Sequence, residues 1–160
     1  MAIVGVVGLS GSGKSTLIEE YKARGFQVFD DIGSDPRWSL HAQHIRQAAQ
    51  NGDVVVSDIL FCCRTSQEVD QVLDEVGFPS DSLIRQFRGR DEFERQINVP
   101  IEWVFFENNP AQCAKNCGYR ATQIQRNLKF ENALIQALTQ VYEPPKGALP
   151  VWAGGQTDSD

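Results

Sequence analysis

The most specific chemistry in this chain lies in one short run: Gly8, Leu9, Ser10, Gly11, Ser12, Gly13, Lys14 and Ser15, followed directly by Thr16. Every fixed position of the spacing G-x-x-x-x-G-K-[ST] is filled. Glycines let successive backbone N–H groups turn inward around a polyanion, where side chains would block both the conformation and the approach. A helix opening near Gly13 adds its positive end and unpaired N–H groups at the same spot. Lys14 then supplies a mobile point charge for β- and γ-phosphates, and the Ser15 hydroxyl can ligate Mg²⁺. Residues 8–16 therefore read as a cradle for a nucleoside triphosphate.

Such a cradle needs a strand before it and a helix after it, and the flanking sequence supplies both. Ile3 to Val7 is short, β-branched and apolar on both parities, as expected of a strand covered on two sides. Lys14 to Ala23 has helical composition and Gly25 stands where a helix would stop. Phe26 to Phe29 reads as a second strand, beside the first and central one, closing on Asp30 and Asp31. Asp35-Pro36 is a cap followed by proline, opening a helix that ends near Gly52. Val54 to Val56 is a third buried strand ending at Ser57-Asp58, and Thr65-x-x-Glu68 is a capping box before Val69, Val72, Leu73 and Val76 at helical spacing. Residues 79–98 read as an inserted helical excursion. Ile101 to Phe106 is a fourth strand, and Asn109-Pro110 opens a helix expected to stop around Gly118. Thr122-x-x-Gln125 begins the longest expected helix, and Val151-Trp152 a short fifth strand.

Strands alternating with helices call for a three-layer, doubly wound α/β fold: a parallel sheet of about five strands with helices on both faces and right-handed crossovers. In such sheets ligands bind at the carboxyl ends of the strands. With 160 residues the expected organisation is a single domain over residues 1–153, with a disordered polar tail at residues 154–160. A formal charge of −6 argues against a function built on wholesale neutralisation of nucleic-acid phosphates. No apolar run approaches the roughly 18 residues of a membrane helix, and the start lacks signal-peptide character. The expected location is cytoplasmic, with no membrane partner. The four cysteines, Cys62, Cys63, Cys113 and Cys117, match neither a secreted disulfide framework nor a pair of zinc knuckles and read as reduced, buried thiols.

The cradle alone does not choose among triphosphate enzymes. No guanine-reading N-K-x-D is present, and Asp30-Asp31-Ile32-Gly33 lies too close to the loop for a switch. The chain is too short for an ABC-type ATPase. What remains resembles the small P-loop nucleoside, nucleotide and metabolite kinases, the class that includes adenylate and shikimate kinases. The resemblance is carried by residues 3–18, by 54–64 and more loosely by 101–126. It implies an acidic residue after the second strand, an aspartate after the third and arginines after the fourth, all around the transferred phosphoryl group. Asp30 and Asp31, Asp58, and Arg120 with Arg126 occupy those places. Val55-Val56-Ser57-Asp58 through Phe61 and Arg64 looks like the adenylate-kinase stretch D-G-F-P-R, although Arg64 follows Asp58 by six residues instead of four and the glycine and proline are missing.

The chemistry asks for the same set. Charge in phosphoryl transfer spreads over equatorial oxygens, so catalysis is mostly positioning and neutralisation by Lys, Arg and Mg²⁺. Lys14, Arg120 and Arg126 are the candidate neutralising groups, Asp30 or Asp31 the group that orients the nucleophile, and Ser15 with Asp58 the metal-holding pair. Asp31, Trp38 and Arg64 are candidate acceptor-binding residues. Arg85, Arg88, Arg90 and Arg95, interleaved with Phe87 and Phe93, suit either an anionic docking surface or, beside Asp91, Glu92 and Glu94, a neutralised surface. His41 and His44 lack a third ligand and read as ordinary helix residues. The expected function is ATP- and Mg²⁺-dependent transfer of a γ-phosphoryl group to a small-molecule acceptor. A nucleotide-binding regulator or slow ATPase is the alternative, and a nucleic-acid end kinase a third. The acceptor, the choice of ATP over GTP and the oligomeric state stay open.

Overall fold

The computed structural model describes residues 2–30, 32, 38–124 and 128–152, without the side chains of 38–40, 119–124, 128, 130 and 131. Four parallel strands form one sheet: β1 (Ile3–Val7), β2 (Gln27–Phe29), β3 (Val54–Ser57) and β4 (Ile101–Phe105), in the order β2-β3-β1-β4. The helices are α1 (Lys14–Ala23), α2 (Trp38–Asn51), α3 (Ser66–Val76), α4 (Arg90–Ile97), α5 (Pro110–Ile124) and α6 (Leu128–Thr139). Among the described residues no helix is long and apolar enough to cross a membrane.

The two continuous valine and isoleucine runs take the two inner positions. β1 and β3 are buried at every residue and lie side by side, with Ile3 opposite Val54 and Val6 opposite Ser57, so both faces of each must be covered by helices. On one face Val4, Val6 and Val55 pack with Ile18 and Leu17 of α1. On the other, Ile3, Val7, Val54 and Val56 join apolar residues of the other five helices, including Ile45, Val72, Ile97, Cys117 and Ile135. The helices thus lie on both faces but unequally.

Four details differ from the sequence expectation. β2 is the edge strand, one strand removed from β1, because Gln27 is exposed and Val28 and Phe29 are only part-buried, which does not suit a position that needs two covered faces. No fifth strand forms at Val151-Trp152 among the described residues. A one-residue parallel bridge joins Leu149 to Phe106 instead, since the Trp152 N–H donates to the Ser12 carbonyl at 3.1 Å and draws the chain off the sheet edge. α5 does not stop at Gly118 but continues to Ile124, so Thr122 lies inside it, and the next described helix starts at Leu128. A glycine in a helix costs about 1 kcal/mol, and the burial of Cys113, Asn116 and Cys117 on that helix outweighs it.

The segment 79–98 is built into the core. Phe87 and Phe93 sit 5.6 and 5.0 Å from the Phe61 ring, and Trp103 lies edge-on to it at 5.2 Å. Arg90 donates to the Phe61 carbonyl at 2.6 Å and lies over the rings of Phe105 and Trp103. The other arginines of this segment have acidic partners, which come largely from α3. Arg85 pairs with Asp70 and Asp74, Arg88 with Asp70, and Arg95 with Glu92. The hydrogen bond from Arg88, with its charge, holds Asp70 below the usual carboxylate range. A depressed carboxylate contributes stability above its unfolded pKa and loses it as pH falls through the folded value, here below about 4. Asp70→Asn should therefore lower the melting midpoint at pH 7, and by progressively less as pH falls below about 4. With the Asp70 side chain 42% exposed, solvent screening keeps the effect below about 1 kcal/mol. A difference that does not shrink as pH falls through the acid range would refute this assignment.

Candidate active site

β1 delivers the chain from the middle of the sheet into the glycine-rich loop, and the loop ends in α1. Gly13 caps α1 with φ 112° and ψ 12°, a left-handed conformation, and Gly11 has φ 85°. Glycine is needed for space as well. A Cβ on Gly11 would stand 2.5 Å from the Cys113 carbonyl oxygen and 3.1 Å from the Cys117 sulfur, and one on Gly8 would stand 2.5 Å from Ser12 Oγ. The loop is folded tightly against α5.

Lys14 lies inside this fold. It is 7% exposed, and its Nζ donates to the Leu9 carbonyl at 2.9 Å, so the ammonium is held within the turn of its own loop. Two buried thiols are among its electrostatic neighbours, Cys62 and Cys113. Burial pushes each up to about 12, against a smaller opposing pull from Lys14. They stay neutral thiols near pH 7, so no thiolate offsets the lysine charge. All four cysteines are free and buried. Among the described residues no group of three or more His, Cys, Asp or Glu is arranged to hold a metal by itself. Ser12 Oγ is buried without a hydrogen-bond partner among the described residues. An orphaned hydroxyl, a buried ammonium and glycines that leave no space for a Cβ together fit a polyphosphate group.

The other residues singled out by sequence lie at different depths. Asp58 follows β3, is 3% exposed, and accepts the Leu60 N–H at 2.8 Å, capping the 3-10 turn Ile59–Cys62. Through the β1–β3 pairing it stands beside the start of the loop. Ser15 is half-buried in the first turn of α1, with exposed Thr16 after it. Asp30 is exposed at the end of edge strand β2. Arg64 is exposed, 3.6 Å from Asp91, and its backbone N–H donates to Glu68 at 2.7 Å, while Thr65 caps α3. Trp38 and Arg120 lie on the backbones of α2 and α5, their side chains outside the described set. Asp31 and Arg126 lie outside the described residues. The structure thus brings Lys14, Ser15 and Asp58 to the carboxyl edge of the inner strands, while exposed Arg64 pairs with Asp91.

Several residues around the loop escaped the sequence reading. Asn116, 2% exposed on α5, donates to the Gly11 carbonyl at 2.8 Å and to the Trp152 carbonyl at 2.7 Å. Gln112, one turn earlier, donates to Asn116 Oδ1 at 2.9 Å and fixes the amide's orientation. With Trp152 N–H on Ser12, the C-terminal segment and α5 clasp the phosphate loop. Tyr142 adds a second tie: its hydroxyl donates to the Phe106 carbonyl and lies 3.3 Å from that of Val7. Burial pushes that phenol well above its usual range, so it remains a donor. The one available signal was an asparagine, a poor helix former, amid a helical stretch rich in alanine and cysteine.

This arrangement is similar to known structures. A gluconokinase from Sinorhizobium meliloti 1021 superposes with a TM-score of 0.55 at 18% sequence identity, covering 98% of this chain and 84% of that one. The YorR protein of Bacillus subtilis, solved in complex with phosphorylated GDP, gives a TM-score of 0.48 at 10% identity, covering 97% and 87%. No protein-family model and no curated protein sequence matches the chain. The likeness to the gluconokinase is one of fold, and it agrees with the parallel sheet and phosphate loop described above: the chain has a P-loop, nucleotide-kinase-like α/β fold.

Proposed function

We propose that this chain is a phosphotransferase that moves the γ-phosphoryl group of a nucleoside triphosphate onto a small-molecule acceptor. The observation that carries the reading is the buried Lys14 ammonium, held by Leu9 within a loop whose glycines leave no space for side chains. The loop amides and the N-terminus of α1 bind the polyphosphate, and Lys14 exchanges its contact with Leu9 for β- and γ-oxygens, neutralising charge as it migrates. Ser15 and Asp58 would hold Mg²⁺, whose charge would further neutralise the β- and γ-oxygens. Asp30 or Asp31 orients the acceptor hydroxyl. Arg120 and Arg126 extend the positive field over the transferred group, and Asp31, Trp38 and Arg64 serve the acceptor side.

The test is a panel of nucleosides, nucleotides, sugars and sugar acids incubated with γ-labelled triphosphate, Mg²⁺ and the protein. Label transferred to at least one acceptor is the expected result. Release of inorganic phosphate at the same rate with and without every acceptor would contradict transfer and favour an acceptor-free ATPase.

A further inference from the structure

A cavity of about 480 Å³ opens beside the phosphate loop, in the range of small-molecule sites. It begins at Gly13, and its walls include Thr16, Leu17 and Glu20 of α1, Phe106 after β4, and Val151 and Trp152 of the C-terminal segment. The Trp152 main chain is fixed at both ends of its peptide units, by Ser12 and by Asn116, so this aromatic wall keeps its place relative to the loop. Among the described residues that line the cavity, Glu20 alone carries a charge, and it is exposed.

We infer that this cavity takes the base of the bound nucleotide and that Glu20 makes it selective for guanine. The inference rests on the phosphate-loop reading above, since a polyphosphate in that loop brings the rest of its nucleotide to Gly13 and Thr16. An ionised carboxylate is a pure acceptor with two oxygens. The pairing edge of guanine offers two adjacent donors, N1–H and the N2 amino group, which match those oxygens. Adenine sets a lone pair at N1 beside its amino group, so one oxygen would face another acceptor. Uracil flanks its single N–H with two carbonyls. The phenyl and indole rings and Val151 give an apolar slot for any planar base, so shape alone does not discriminate and the carboxylate does. This selects GTP in the choice between ATP and GTP that the sequence leaves open.

Calorimetric titrations of GDP, IDP, ADP and UDP with Mg²⁺, into the wild-type protein and Glu20→Gln, test this. The wild type should bind GDP about tenfold more tightly than ADP or UDP, as one bidentate base contact provides. IDP, which lacks the N2 amino group, should fall between GDP and ADP. Glu20→Gln should abolish the preference and bring GDP and ADP within about threefold of each other, because an amide's acceptor and donor match the adenine amino group and N1 as well as they match guanine N1–H and O6. A wild type that binds ADP at least as tightly as GDP, or a GDP preference that survives Glu20→Gln, overturns the inference and leaves the phosphate loop standing. Absence of binding by all four diphosphates overturns both.

Discussion

Lys14→Ala should lower the rate of phosphoryl transfer by about 100-fold or more, the scale on which removal of one preorganised charge-stabilising donor acts. The magnitude follows from where the ammonium sits. Lys14 is almost wholly buried and tied at 2.9 Å to Leu9, and with Cys62 and Cys113 held neutral by burial, no nearby thiolate cancels its charge. Its replacement would leave the loop amides as donors but remove a mobile cation proposed to follow the β- and γ-oxygens. Lys14→Arg should restore little, because a planar guanidinium fork replaces the compact ammonium point charge that donates to Leu9. Single-turnover measurements with γ-labelled triphosphate check the effect. Transfer within about threefold of wild type in Lys14→Ala would remove the basis of the proposed chemistry.

The second large effect is structural and falls on a residue with no chemical role. Asn116→Leu should destabilise the protein by about 2–4 kcal/mol, since two main-chain acceptors, of Gly11 and Trp152, lose their donor and each such loss costs about 1–3 kcal/mol. For a chain of this size that is a fall of roughly 5–15 °C in melting midpoint. Asn116→Asp, of equal volume, should be worse near neutral pH, because it sets a carboxylate against two carbonyl oxygens where an amide donated. Triphosphate affinity should fall with stability in both variants, as the clasp between α5, the C-terminal segment and the loop opens. Differential scanning calorimetry of the variants checks the order. A destabilisation under about 1 kcal/mol, or Asn116→Asp better than Asn116→Leu, would show that the clasp contributes little.

The phosphate loop and the elements around it were legible because local rules act there without competition. Residues 8–15 combine a spacing with a physical reason at each position, β1 is a continuous apolar run, and Thr65 caps α3 as its spacing to Glu68 suggested. Its partner glutamate instead accepts from the N–H of Arg64. What could not be read was set by tertiary packing. Gly118 looks like a stop signal, yet α5 runs through it because the burial of Cys113, Asn116 and Cys117 outweighs the cost of the glycine. Val151-Trp152 has strand composition, yet its backbone donor is used on Ser12. The sequence offers Asp91, Glu92 and Glu94 as acidic neighbours of Arg85 and Arg88, yet their partners Asp70 and Asp74 lie on α3, brought there by the fold. Asn116 bridges residues 105 and 36 positions away, a link that no local pattern records.

Most directly, the account is tested by titrating Mg²⁺-bound nucleoside triphosphate into the wild-type protein in a calorimeter, with Lys14→Ala as the reference. Saturable one-site binding in the wild type, weakened at least tenfold in Lys14→Ala, is the predicted result. No measurable binding by the wild type, or equal binding by the two proteins, would contradict the claim that residues 8–16 hold a polyphosphate.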